Sequence, residues 1–415
     1  MAEKKRFNMN RPINKPKWYL KIVEFVASPF YLLFSKGHVK TAPEVKKLKG
    51  PYLILSTHAS FMDFPMIVKG IMPKTTGWVM SVEEFRRGDW LMYGIGGIPK
   101  RKFTHDIVTV KHMLNMLKKK KHICTLYPEA RFSFAGIKER LDGALGKFCK
   151  VAKVPVVMCT AMGNFINSPQ WSKHPYRGIR QEATLSLLIT QEETETLSAE
   201  ELQERIEKAF ERDEYKWQVE KGYHTKCKDR ANGLYKLLYK CPVCGREFKM
   251  ESGGIHLWCN ECGSKWEMDT LSRLHGINTD KGFSHIPDWY VWEREQVRKE
   301  VQAGTYRFED DVRVEDYYST QVGFVTVGDA HVVHDENGFT FNGTVNGQPF
   351  SLNKPLSSMY SVHVEYDFLN RGDAFDIATE ETSYFMFLKT AKNYLTKMHL
   401  AQEELYDFHV KGVKG

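Results

Sequence analysis

The segment 51-PYLILSTHASFMDF-64 is the starting point for reading this chain of 415 residues. PYLIL (51–55) is a short apolar run and reads as a buried strand. STHASFMDF (56–64) follows it. His58 and Asp63 stand five apart, and Ser60 between them is a candidate N-cap for a helix. Open α/β sheets place their ligands in loops at the carboxyl ends of strands. With His58 in such a loop and Asp63 in the first helical turn, the two side chains can meet. The carboxylate would then fix the imidazole tautomer and stabilise the imidazolium. The alternative is an ordinary helix-capping pair.

The flanking sequence repeats the pattern. TGWVMSV (76–82), HICTLYP (122–128) and VPVVMC (154–159) read as strands. Residues 105–120 and 138–150 read as helices, as does 198–213, which Ser198 opens. This alternation predicts an α/β domain over 46–225 with a mostly parallel sheet flanked by helices. Hydrophobic residues at 42% and charged residues at 27% exclude wholesale disorder and a polytopic membrane protein.

Three later segments join the His58 pair. They are 96-GGIPKRK-102, 127-YPEARFS-133 and 154-VPVV-157. With His58-x4-Asp63 they resemble, in order and spacing, the motifs of the glycerolphosphate and lysophosphatidate acyltransferases. The resemblance covers roughly residues 20–220. It implies a fatty acyl transfer from acyl-CoA or acyl-carrier protein to a hydroxyl of a lysophospholipid or glycerol-phosphate-type acceptor. His58 would be the general base and Asp63 its orienting partner, with Ser60 as nucleophile the alternative. Arg101, Lys102, Glu129 and Arg131 would serve the acceptor's phosphate. Two departures stand out. Lys102 occupies the motif's Arg position, with Arg101 one residue earlier. The Pro-Glu-Gly-Thr-Arg block is shortened to 128-PEAR-131, with Ala130 in place of Gly-Thr. The internal alternative for Glu129 and Arg131 is an ion pair with each other.

The net charge of +9 hides a split. Residues 1–150 hold 29 Lys and Arg against 11 Asp and Glu, a balance of +18. Residues 251–415 hold 15 against 26, a balance of −11. An anionic partner therefore belongs to the front of the molecule. Trp18–Phe34, within an N-terminal segment 1–45, is apolar and aromatic but carries Lys21, Glu24 and Pro29. It suits a helix lying in a membrane interface better than a span, or else a core helix broken at Pro29. The run Lys118–Lys121 adds to a cationic surface or simply ends a helix. No cleavage site follows the basic N-terminus, so no signal peptide is read. A peripheral position on the cytoplasmic face of a membrane is expected.

Four of the eight cysteines are packed into 241-CPVCGREFKMESGGIHLWCNECG-263. Cys241 and Cys244, then Cys259 and Cys262, form two Cys-x-x-Cys-Gly knuckles. Such a pair predicts a closed, structural Zn²⁺ site in a ribbon over 236–270. The ribbon lacks the basic surplus of the front of the chain, which argues against nucleic acid as a partner. A connecting helix (285–304) follows. The tail (313–415) reads as six or so short strands with Asn-Gly turns and a closing helix near 389–407. It resembles a pleckstrin-homology or GRAM-like module. The rival to an enzyme is a catalytically degenerate lipid-binding or adaptor protein, recruiting partners through the ribbon and the β domain.

Overall fold

PYLIL lies at the centre of a seven-stranded sheet. In the computed structural model, which describes residues 7–85, 88–104, 106–172, 177–316, 324–379 and 382–412, its strands are β1 (Gly37–Thr41), β2 (Leu53–Ser56), β3 (Thr76–Ser81), β4 (Gly97–Lys100), β5 (Ile123–Leu126), β6 (Val156–Met162) and β7 (Gln181–Ile189). Their order is β1-β7-β6-β2-β5-β3-β4, and only β6 and β7 run antiparallel. The central strands β2 and β5 are buried on both faces. Leu53 and Leu55 pack with Leu145 and Ile206 on one face, and Ile54 packs with Met66 and Leu185 on the other. That double burial is why these strands read as unbroken apolar runs and do not alternate.

The helices follow local chemistry. Ser198 and Glu201 form a reciprocal capping box that opens the helix Ala199–Ala209. Asp106 caps Ile107–Leu114, which continues as a π turn through Lys119. The helix expected over 138–150 begins only at Leu145. Residues 138–144 are irregular because Glu139 is drawn inward to Arg131. Three strands carry weak local signals and are recovered only in the sheet: β1, β4 and β7.

Trp18–Phe34 is one helix, unbroken at Pro29. It buries Leu20 and Leu32 but leaves a second apolar face in solvent. Glu24 and Ser28 face the body, while Trp18, Val26, Phe30 and Leu33 are more than 60% exposed. It is therefore not a core helix. Burial raises the Glu24 carboxyl to about 7. Among the described residues, no helix is long and apolar enough to cross a membrane.

The cysteine region folds as a four-stranded antiparallel sheet in the order β11-β10-β9-β8. Its strands are β8 (Met250–Gly253), β9 (His256–Cys259), β10 (Lys265–Met268) and β11 (Leu274–Gly276). The helix Ile286–Gln302 follows, opened by Pro287. Trp289 on this helix packs edge-on against Trp266 of the ribbon.

The tail is a seven-stranded antiparallel sheet in the order β15-β14-β13-β12-β18-β17-β16. Its strands are β12 (Phe308–Asp316), β13 (Val325–Asp335), β14 (Gly338–Val345), β15 (Gln348–Lys354), β16 (His363–Glu365), β17 (Ala374–Ala378) and β18 (Ser383–Leu388). Thus β12 begins before the anticipated boundary at 313. The strands expected at 323–328 and 330–343 form a hairpin with different breaks, and Gly323 lies outside the described residues. Asn346-Gly347 makes a hairpin turn with both residues at positive φ. Asn342-Gly343 does not. It sits inside β14, where a Cβ on Gly343 would lie 2.2 Å from the Asp329 carbonyl oxygen. The closing helix is Leu395–Leu405, and all eleven of its residues are buried. It packs against the helix Ile286–Gln302 and reaches the α/β domain, so one hydrophobic core runs from Ala59 to Leu405.

Candidate active-site cleft and cysteine cluster

His58 lies in the loop after β2, at the carboxyl edge of the central strand. Its Nδ1–H donates to Asp63 Oδ2 at 3.0 Å. Asp63 is 1% exposed and is held by three further donors. The Ala59 and Ser60 amides donate to Oδ2 at 2.7 and 3.1 Å, and Asn164 Nδ2 donates to Oδ1 at 2.5 Å. The carboxylate is therefore fixed before any substrate arrives. A carboxylate only accepts, so His58 Nδ1 carries a proton, and in the neutral ring this leaves the lone pair on Nε2. The imidazole is stacked on Tyr127 at 4.0 Å and flanked by Phe132 at 4.4 Å. The side chain remains 22% exposed. Ser60 Oγ accepts from the Met62 amide and makes no hydrogen bond with His58.

Glu129 and Arg131 do not pair with each other. Glu129 is fully buried and forms a fork with Arg212 at 2.6 and 2.9 Å. It also accepts the backbone amides of His58 at 3.0 Å and Glu139 at 2.9 Å. Glu129 thus positions the His58 loop. Nothing local in the sequence distinguished Arg212 from the other charges of its region, because its partner is 83 residues away. Ala130 sits between the two charged residues at φ 58, in the left-handed region. A Cβ in that conformation costs roughly 1–2 kcal/mol.

Arg131 turns the other way. Its Nη2 contacts Glu403 at 2.6 Å and Glu139 at 3.1 Å, and its Nε also donates to Glu139. Its Nη1 reaches Ser361 Oγ, the Val362 carbonyl and His399 Nδ1 at 2.7, 3.3 and 3.0 Å. Burial opposes its charge, but Glu403 and Glu139 outweigh this and hold Arg131 protonated. Burial and Arg131 together push His399 well below the usual imidazole range, so it is neutral and acts as an acceptor. Lys102 Nζ lies 3.5 Å from Asp376 Oδ2 and 3.1 Å from His363 Nδ1. His363 is itself 2.5 Å from Asp376. Burial lowers the affinity of Lys102 for its proton, but Asp376, Glu83 and Glu365 more than restore it. Arg101 is 3.8 Å from Asp106 and does not line the cleft described next.

His58, Lys102 and Arg131 open onto one cleft of about 710 Å³. Its inner wall comes from the α/β domain, with Phe64, Trp78 and Tyr127. Its outer wall comes from the tail, with Phe324, His363 and Phe385. The tail, expected as an appended β domain, thus forms one wall of this cleft. Phe61 stands at the edge, 65% exposed, with its ring 6.4 Å from Tyr31. The exposed apolar face of Trp18–Phe34 is thereby continuous with the cleft.

No protein-family model and no curated protein matches the chain. Among solved structures, the chain is similar to the 1-acyl-sn-glycerophosphate (LPA) acyltransferase PlsC from Thermotoga maritima. The TM-score is 0.40 at 16% identity, over 50% of this chain and 82% of that chain.

The cysteine cluster is a second candidate site. The four sulfurs lie within 4.8 Å of one another. Cys241 and Cys262 are 3.7 Å apart, and Cys244 and Cys259 are 3.8 Å apart. A tetrahedron with metal–sulfur bonds of about 2.3 Å has edges near ~3.8 Å, so the donor set fits a zinc-sized ion. The two knuckles are alike. Gly245 N donates to the Cys241 carbonyl and Gly263 N to that of Cys259, each at 2.9 Å, with φ of 72° and 73°. Glycine supplies that conformation without strain. His256 is outside the cluster, beside Glu267.

Proposed function

We propose that the chain is a membrane-associated O-acyltransferase that moves a fatty acyl group from an acyl thioester to a lipid hydroxyl. The observation that carries this reading is His58, oriented by a pre-fixed Asp63, facing a largely apolar cleft. In this reading the acceptor hydroxyl gives its proton to His58 Nε2. Its oxygen attacks the thioester carbonyl, the new C–O bond forms and the C–S bond breaks. The imidazolium then protonates the departing thiolate. Asp63 stabilises the imidazolium between these steps. Ser60 is no nucleophile here, since its oxygen is not activated by the imidazole. The donor is acyl-CoA or acyl-carrier protein. Release of free thiol from acyl-CoA by the purified chain, dependent on an added glycerolipid or lysophospholipid and matched by acylated product, tests the reading. Thiol release that does not depend on any acceptor would contradict it.

Membrane docking completes the proposal. The exposed face of Trp18–Phe34 inserts at the lipid surface, and exposed Lys15, Lys17, Lys36 and Lys40 contact anionic head groups. The full chain should bind vesicles of phosphatidylcholine and phosphatidylglycerol more tightly than pure phosphatidylcholine. Raising salt from 0.05 to 0.5 M should weaken that binding as the charges are screened. Val26→Asp replaces an exposed apolar side chain with a charge. It should cost at least about tenfold in vesicle binding, because burying one valine contributes roughly 1.5 kcal/mol or more. Unchanged sedimentation of this variant with vesicles would rule out the helix as the docking face. The four cysteines hold zinc as a structural ion, with no open coordination position.

A further inference from the structure

The charges around the cleft say which acceptor it takes. Among the described residues the cations lining it are Lys100, Lys102 and Arg131, and Lys102 and Arg131 are each engaged by carboxylates of the protein itself. Arg131 has five N–H donors, and the protein offers them six contacts with Glu139, Glu403, Ser361, Val362 and His399. None is left for a phosphate fork. Lys102 is held by Asp376 and faces Glu83 and Glu365. Lys100 donates to the Thr104 carbonyl at 3.3 Å, and burial lowers its pKa. Among the described lining residues, Glu83, Glu84 and Glu365 match these cations one for one. Asp376, Glu139 and Glu403 stand directly behind them. Among the described residues the lining holds as many carboxylates as cations, so a phosphate monoester would bring about two negative charges with no surplus of positive charge to meet them, and burying an uncompensated charge is costly.

The rest of the lining is mostly apolar and aromatic, with Phe61, Phe64, Trp78, Tyr127, Phe132 and Phe385. Such a wall suits an acyl chain and an uncharged head group and gives no compensation for a buried charge. We infer that the acceptor is an uncharged lipid alcohol of the acylglycerol type and not a lipid phosphate monoester. The inference rests on the acyltransferase reading for its chemistry, but its content is a binding preference. The tail sets that preference, because Asp376, Glu365 and Glu403 all come from it.

The test is direct binding by isothermal titration of the full chain at pH 7.5. The probes are 1-octanoylglycerol and 1-octanoylglycerol 3-phosphate, both below their micellar concentrations. The uncharged probe is expected to bind at least ten times more tightly. Asp376→Asn releases the charge of Lys102 and should narrow that ratio at least threefold. Glu365→Gln, at a more exposed side chain, should narrow it in the same direction and serves if the first variant does not fold. Equal or tighter binding of the phosphate overturns the inference, and so does binding of neither probe. If octanoylglycerol binds with this preference but receives no acyl group, the transferase reading fails and the head-group preference stands.

Discussion

His58→Ala is expected to lower acceptor-dependent thiol release by roughly 10²–10⁴-fold, the range contributed by a positioned general base. The variant should stay folded. His58 is partly exposed, and Asp63 keeps three of its four donors, from Ala59, Ser60 and Asn164. No uncompensated buried charge is created, so the severe penalty for orphaning a buried ion does not apply. Asp63→Asn is expected to lose activity for a different reason. An amide can donate to Nδ1, which would move the imidazole proton to Nε2 and remove the base. Ser60→Ala should keep most of its activity, because its hydroxyl only accepts from the Met62 amide. Turnover within tenfold of the unaltered chain in His58→Ala, with its unfolding midpoint preserved, would eliminate the general-base mechanism. Loss of activity in Ser60→Ala alongside a trapped acyl-enzyme would point instead to a covalent route.

The contrast between what could and could not be read from the sequence follows the distance between partners. His58 and Asp63 are five residues apart on one strand-loop-helix unit, and their contact is as the spacing predicts. The cysteine knuckles are equally local, and their sulfurs do converge. Glu129 and Arg131 share one short segment, yet each is satisfied by a residue far along the chain, Arg212 for one and Glu403 for the other. Asn164 reaches Asp63 across 101 residues, and Asp376 reaches Lys102 from the tail. Nothing local marks such pairs. The charge split of the sequence hinted at the last of these. The basic front and the acidic rear meet in part across the cleft, so some of the cationic surplus is consumed inside the molecule. Arg140 with Asp407 repeats the pattern, forked at 3.0 and 2.5 Å. The closing helix was legible as a helix but not as a buried one. Its Lys397, His399, Glu403 and Glu404 look like a solvated face until their partners Glu247, Arg131 and Arg298 are known.

Removal of zinc is expected to do more than melt the ribbon. Purified chain should carry about one Zn²⁺, and Cys259→Ser or a strong chelator should abolish it. The ribbon strands are only three or four residues long, so metal–thiolate bonds supply much of their stability. Apparent binding energies at comparable sites are about 10–16 kcal/mol. Two contacts carry the disturbance outward. Trp266 leaves the side of Trp289, and the Lys240 backbone, next to Cys241, loses its bonds with Glu293 Oε1 and Trp289 Nε1. Both partners sit on the helix Ile286–Gln302. That helix supports Leu395–Leu405, whose Glu403 holds Arg131 at the cleft. Loss of the metal should therefore lower the unfolding midpoint on the order of 10 °C, given about 1 °C per kcal/mol in a chain of this size. Amide hydrogen exchange should rise first over 241–276, then over the helix 286–302, and afterwards around Arg131. Tryptophan emission should shift to the red as Trp266 and Trp289 become wet. A metal-free chain that keeps exchange protection over 241–276 would show that the cysteines fold without an ion. A rise confined to those residues, with 286–302 still protected, would show that the ribbon is not coupled to the cleft.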